Sequence, residues 1–156
     1  MPRIFVSTQK KPNKGDWIDL DEYSDEDSFY ERAREIHSKE DNPEFIFQDW
    51  EDIPEGLISK TEIDGMLWEW MKLEDEEKDI IREYLEEIGS FNDVSDILSN
   101  YEGKYNSMEE FAEQLIYDLF GDEFRQYYSI YFDFDSFARD LENDYDITKS
   151  GYIFKK

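Results

Sequence analysis

Residues Leu73–Ser90 read LEDEEKDIIREYLEEIGS. Leu73, Ile80, Ile81, Tyr84, Leu85 and Ile88 recur at the spacing of one helix face. Yet eight of the first fifteen residues are Asp or Glu. The stretch therefore predicts a helix with an apolar side to bury and an outer face crowded with like charge. Gly89 marks its end.

Working outward, the chain divides into three regions. Before the helix, Ser59 and Glu62 read as a capping box opening a helix with Ile63, Met66, Leu67, Trp70 and Met71 on one face. After it, Ser90 and Asp93 suggest another start, with Phe91, Val94, Ile97 and Leu98 behind. These segments make a short helical domain, 59–99. The N-terminal region, 1–58, carries strand signals at RIFVSTQ, Asp16–Leu20 and EFIFQDW. Between the last two, Ser24 and Asp27 open a helix bearing Phe29, Tyr30, Ala33 and Ile36. The C-terminal region, 100–156, has its clearest helix start at Ser107 and Glu110, followed by Phe111, Ala112, Leu115, Ile116 and Leu119. Gly121 restarts a short helix, SIYFDF is a strand or a bend, and SFARDLEND is a last helix. YDIT, a KSG turn and YIFKK close the chain as a hairpin. The fold class is α+β, with a short helical bundle between two α+β domains.

The 156 residues carry 42 acids against 17 Lys and Arg, a net charge of −25. Twelve Phe, eleven Tyr and four Trp supply enough large apolar area for a folded chain despite that charge. There is no cysteine, which excludes disulfides and thiolate metal sites and fits a reducing cytoplasm. MPRIFVSTQKKP lacks a secretory apolar run, and no stretch approaches the ~18 apolar residues of a membrane span. All 42 acids lie between Asp16 and Asp146, beside only ten bases. The first fifteen residues hold Arg3, Lys10, Lys11 and Lys14 and no acid. Such a surface repels nucleic acid and anionic membranes and attracts basic clefts.

Local pairing does not explain the charge. On the helix of the opening stretch, Glu74–Lys78 and Arg82–Glu86 are favourable at i,i+4, while Asp79–Glu83 and Glu83–Glu87 are unfavourable. Each is worth about 0.2–0.5 kcal/mol, so they nearly cancel. Solubility needs a net charge of only about 2–8. Duplex DNA carries one charge per ~1.7 Å of axis, so 42 carboxylates would cover roughly 70 Å of duplex. A compact globule of this length is about 40 Å across, and a rod of small domains matches that charge density better.

Other chemistry finds little support. Asp133 and Asp135 in YFDFD fail as a calcium loop, because Ala138 and Asp144 stand where Gly and Glu are needed. DEYSDED likewise lacks the Gly. His37 is the one histidine and reads as a surface helix residue, with neither a metal site nor a Ser-His-Asp arrangement behind it. Glycine-rich phosphate loops are absent. WEW (68–70) and YYSIYFDF (127–134) read first as core. Any exposed part of the second is a self-association patch, since stacking platforms for nucleic acid sit in positive grooves.

Four ordered stretches carry a resemblance: GDWIDL (15–20), EFIFQDWE (44–51), NYEGKYNSMEEFAEQL (100–115) and YFDFDSFARDL (131–141). Together they resemble the ArdA antirestriction proteins encoded on conjugative elements and phages. QKKPNKG departs from the family pattern in being Lys-rich. The resemblance implies three small domains strung into an elongated curved rod that forms a homodimer. It implies a non-enzymatic mimic of B-form DNA, with no catalytic residue, cofactor or metal. Its partner would be the methyltransferase core of a type I restriction–modification enzyme, not nucleic acid or membrane. On that reading the phosphate-mimicking surface is Glu62, Glu69, Glu76, Glu77, Asp79, Glu83, Glu86, Glu87, Asp93, Asp96, Glu109, Glu110 and Glu113. The dimer contact falls to Tyr127, Tyr128, Tyr131, Phe132 and Phe134. Rival readings are an acidic module sequestering another basic DNA-binding protein, halophilic adaptation, and an enzyme with a carboxylate site.

Overall fold

The computed structural model describes residues 1–89 and 93–156. The chain forms two compact units, Met1–Val94 and Ser95–Lys156. Both are mixed α+β, and each has its own three-stranded antiparallel sheet.

In the first unit, β1 (Arg3–Thr8) is the central strand between β2 (Asp16–Asp19) and β3 (Phe45–Glu51). Alternation sets its two faces. Ile4, Val6 and Ile18 are buried on one side, while Phe5 meets Trp17 edge-on at 5.6 Å on the other, under Arg3. A register shift between Phe5 and Val6, opposite β3, introduces a bulge. The buried face receives α1 (Glu26–Ile36), whose Phe29 packs against Phe47 and Trp68. The α1 cap is Asp25, which accepts from the Ser28 N–H, rather than Ser24 one residue earlier.

The Ser59–Glu62 pattern forms hydrogen bonds but no helix start. Glu62 N–H donates to Ser59 Oγ and Ser59 N–H to the Glu62 carbonyl, closing a turn that pairs Ile58 with Ile63. Helix α2 begins only at Met66 and ends at Met71. It buries Trp68 and Trp70 and leaves Glu69 exposed, so WEW is core. Helix α3 spans Asp75–Glu87 and buries Ile80, Ile81 and Leu85. Gly89 follows its C-cap, and its N–H reaches back to the Tyr84 carbonyl. The expected start at Ser90, with Phe91, lies outside the described residues; the next helix, α4, runs Val94–Asn100.

The second unit orders its strands β4 (Tyr101–Lys104), β6 (Tyr152–Lys155) and β5 (Tyr145–Ile147). The C-terminal hairpin is as expected; β4 is not. Helices α5 (Met108–Glu123) and α6 (Phe134–Leu141) enclose a core of Met108, Phe111, Ala112, Ala138, Leu141 and Ile153. Ser107 caps α5 by accepting from the Glu110 N–H, and Asp133 caps α6 by accepting from the Ser136 N–H. Gly151 sits at φ 92°, where a Cβ would lie 1.9 Å from the Tyr105 carbonyl oxygen, so only glycine closes this turn. Gly121, at φ 79° and ψ −174°, kinks α5. A π-helical turn at Phe124–Tyr128 stands where a short helix was expected after Gly121, and a 3₁₀ turn at Ser129–Tyr131 opens SIYFDF, the stretch read as a strand or a bend.

Candidate functional site

The acidic surface is built from residues that the helices turn away from their buried faces. In α3 the burial of Ile80, Ile81 and Leu85 leaves Glu76, Asp79, Glu86 and Glu87 exposed. Glu62 and Glu69 are exposed in the same unit, as are Asp96, Glu109 and Glu110 in the second. Glu77, Glu83, Asp93 and Glu113 are half-buried. Glu83 departs from the solvent-facing position its spacing predicts, because one of its carboxylate oxygens is buried without a hydrogen-bond partner. Two others have structural work: Glu77 accepts the Glu74 N–H at 3.2 Å, and Glu110 accepts the Asn106 N–H at 2.9 Å.

Helix electrostatics separates acids that help the fold from acids that oppose it. Asp75, Glu76 and Glu77 occupy the first turn of α3, where negative charge favours the exposed N–H groups. Glu86 and Glu87 occupy the last turn, which contains no basic residue of its own. Negative charge there works against the helix dipole. The bases of α3 are also drawn off its surface. Lys78 lies 5.4 Å from the centre of the Trp70 ring rather than pairing with Glu74, and Arg82 reaches Asp52 at 3.0 Å, with Glu86 more distant at 3.9 Å.

A second feature belongs to the C-terminal unit. Leu119, Phe120, Tyr127, Tyr128, Ile130 and Tyr131 are exposed, the last two at 82%. Phe132 and Phe134 are half-buried and lie beneath this surface. Phe132 contacts Phe134 at 4.8 Å, Phe137 at 5.7 Å and Phe124 at 5.8 Å, and Phe124 in turn stacks with Phe120 and Tyr128. A ladder of rings thus ties the exposed aromatics to Phe137, which packs on the core. Leu119 follows the core spacing of α5 but is 67% exposed. The thirteen residues of α5 before its kink at Gly121 extend about 20 Å and the eight of α6 only about 12 Å, so the end of α5 outruns its partner. Leu119 and Phe120 are exposed apolar residues of this surface that the sequence reading missed; Ile130 lies within the YYSIYFDF stretch already named.

His37 is buried, not on the surface. Its Nε2 lies 3.2 Å from the Val6 carbonyl, and its Nδ1 lies 3.7 Å from Glu40. Among the described residues, no group of three or more His, Cys, Asp or Glu is placed to hold a metal ion. Nor is any helix among them long and apolar enough to cross a membrane.

The family model described as antirestriction protein (ArdA) matches residues 12–154, nearly the whole chain. The chain belongs to the ArdA antirestriction family. Comparison with curated proteins gives no match. ArdA membership implies an antirestriction function and interaction with restriction enzymes, in a family of inhibitors rather than enzymes.

Proposed function

We propose that this ArdA protein mimics B-form DNA and occupies the DNA-binding groove of type I restriction–modification enzymes, acting without catalysis, cofactor or metal. The observation that carries the reading is the placement of Glu86 and Glu87. They are exposed at the end of α3, in a last turn that contains no basic residue, where negative charge opposes the helix dipole. Charge that costs the fold stability needs a use outside it. The phosphate-clamping Lys and Arg residues of a DNA groove supply one. The remaining exposed carboxylates of the predicted set, from Glu62 to Glu110, extend that charge along a rod of three small domains, 1–58, 59–99 and 100–156. In a homodimer the exposed aromatic face around Tyr127, Tyr128 and Tyr131 would join two such rods.

Counterion release gives DNA binding a log–log salt slope of about −0.9 per phosphate contact. Carboxylates on a folded protein condense fewer ions, so binding here has a shallower slope. The test is displacement of a labelled duplex, carrying its recognition site, from a purified type I methyltransferase core at two salt concentrations. Stoichiometric displacement without binding of the protein to DNA is the expected result. Failure against several such enzymes would overturn the reading in favour of an acidic module for another basic DNA-binding protein.

A further inference from the structure

The lysine-rich loop after β1 plays no part in an acidic surface, yet it borders a cavity of about 360 Å³. Lys11, Lys14 and Lys39 line it, and none of the three is in an ion pair among the described residues. His37 and Glu40 also line it, with side chains only 5% and 8% exposed. The Thr8 hydroxyl donates to Glu40 Oε2 at 2.8 Å and accepts the Lys11 N–H at 3.2 Å. The carbonyl of Val6 can only accept, so the His37 Nε2 facing it carries a proton. The other Glu40 oxygen, Oε1, is buried with no hydrogen-bond partner.

A buried carboxylate oxygen lacking a donor is costly, and three lysines outside any ion pair among the described residues, lining the same cavity as Glu40, call for an anion. One chemical group meets both demands: an anion that still holds an acidic O–H. We propose that this cavity binds a phosphate group in its monoprotonated form, free or as a monoester. The P–OH donates to Glu40 Oε1, while the remaining oxygens accept from Lys11, Lys14 and Lys39. The terminal torsion of Glu is soft, so a small rotation presents Oε1 to the cavity that its side chain lines. Sulfate has the same tetrahedral shape and at least as much negative charge, but no proton to give. This site goes beyond the mimicry reading and does not depend on it.

The test is NMR titration of the isotope-labelled full chain at about pH 6.5, near the second ionisation of a phosphate monoester at ~6, with ionic strength held constant by NaCl. The probes are inorganic phosphate, adenosine 5′-monophosphate and sulfate. Saturable shifts of the His37 ring with either phosphate, and at least about tenfold weaker binding of sulfate, are expected from one charge-assisted hydrogen bond. Tighter binding of the nucleotide assigns the site to monoesters, and equal binding to free phosphate. Replacing exposed lysines, as in K11Q/K14Q, should weaken phosphate at least about tenfold. E40Q, which offers an amide donor, should reverse the preference towards sulfate. Non-saturable shifts like those of chloride, or equal binding of phosphate and sulfate, would overturn the proposal. If E40Q does not fold, the wild-type comparison and the lysine variant still decide. No restriction enzyme is present, so failure here leaves the mimicry reading standing.

Discussion

Arg82, midway along α3, donates to both the side chain and the backbone carbonyl of Asp52, just beyond the end of β3. Its guanidinium also lies 5.6 Å from the centre of the Trp70 ring. One side chain thus ties the acidic helix to the sheet and covers a core tryptophan. Asp52 is half exposed, so solvent reduces the value of the pair. Arg82→Ala is expected to destabilise the protein by about 1–2 kcal/mol through lost hydrogen bonds and lost cover over Trp70. Urea unfolding with an unchanged m-value would measure it, and a loss of a few tenths or less would mean that the contact is peripheral.

The exposed aromatic face offers a separate test. Ile130 and Tyr131 contribute little to the core, being 82% exposed, but they head a surface supported from beneath by Phe124 and Phe132. Exposed apolar patches mark association sites. The double substitution Ile130→Asp and Tyr131→Asp should leave circular dichroism unchanged and shift a dimer to monomer in sedimentation at micromolar concentration. A wild-type protein that already sediments as a monomer would sink the assignment of this face to self-association.

How much of this was legible beforehand follows from particular residues. Ser107 was readable as a cap because its Ser-x-x-Glu pattern precedes a long apolar periodicity. Ser59 carries the same pattern, yet there the same hydroxyl and N–H groups close a turn between Ile58 and Ile63. A local hydrogen-bond motif fits two backbone paths, and only tertiary packing chooses between them. His37 was misplaced although its signal was present: Phe29, Ala33 and His37 recur every fourth residue and are all buried. Strand β4 gave little warning, being four residues long with Gly103 beside a register shift. For the acidic surface, exposure was readable from the complement of the apolar face. The buried oxygen of Glu83 was not, since it depends on neighbours that spacing does not reveal.

The caps give a pH dependence of defined sign. The Ser136 backbone N–H, with its hydroxyl, holds the Asp133 carboxyl below its ordinary value; the Ser28 N–H does the same for Asp25. A depressed folded-state pKa means that the unfolded chain binds more protons in the acid range. The contribution of each cap is therefore fully present above the unfolded carboxylate value of about 3.9 and is lost as pH falls through the lower folded value. Asp133→Ala should lower the melting temperature at neutral pH, and its deficit should close as pH falls through the lowered folded-state value of Asp133. A deficit that persists unchanged into strong acid would show that Asp133 acts through something other than its charge.

The mimicry reading predicts that stability and function respond differently to neutralisation of α3. Glu76 sits in the favourable first turn, Asp79 lies further along, and Glu86 and Glu87 sit in the unfavourable last turn. In the combined variant Glu76→Gln, Asp79→Asn, Glu86→Gln and Glu87→Gln, loss at one end of the helix and relief at the other nearly offset. The change in stability should stay within about 1 kcal/mol. Displacement of DNA from the methyltransferase core should weaken at least about tenfold, since several charge contacts are lost together. Each single change should cost about twofold or less, as expected for charges spread over a screened surface. A single neutralisation that abolished inhibition would point to one dominant contact, and a combined variant that inhibited as well as wild type would remove α3 from the interface.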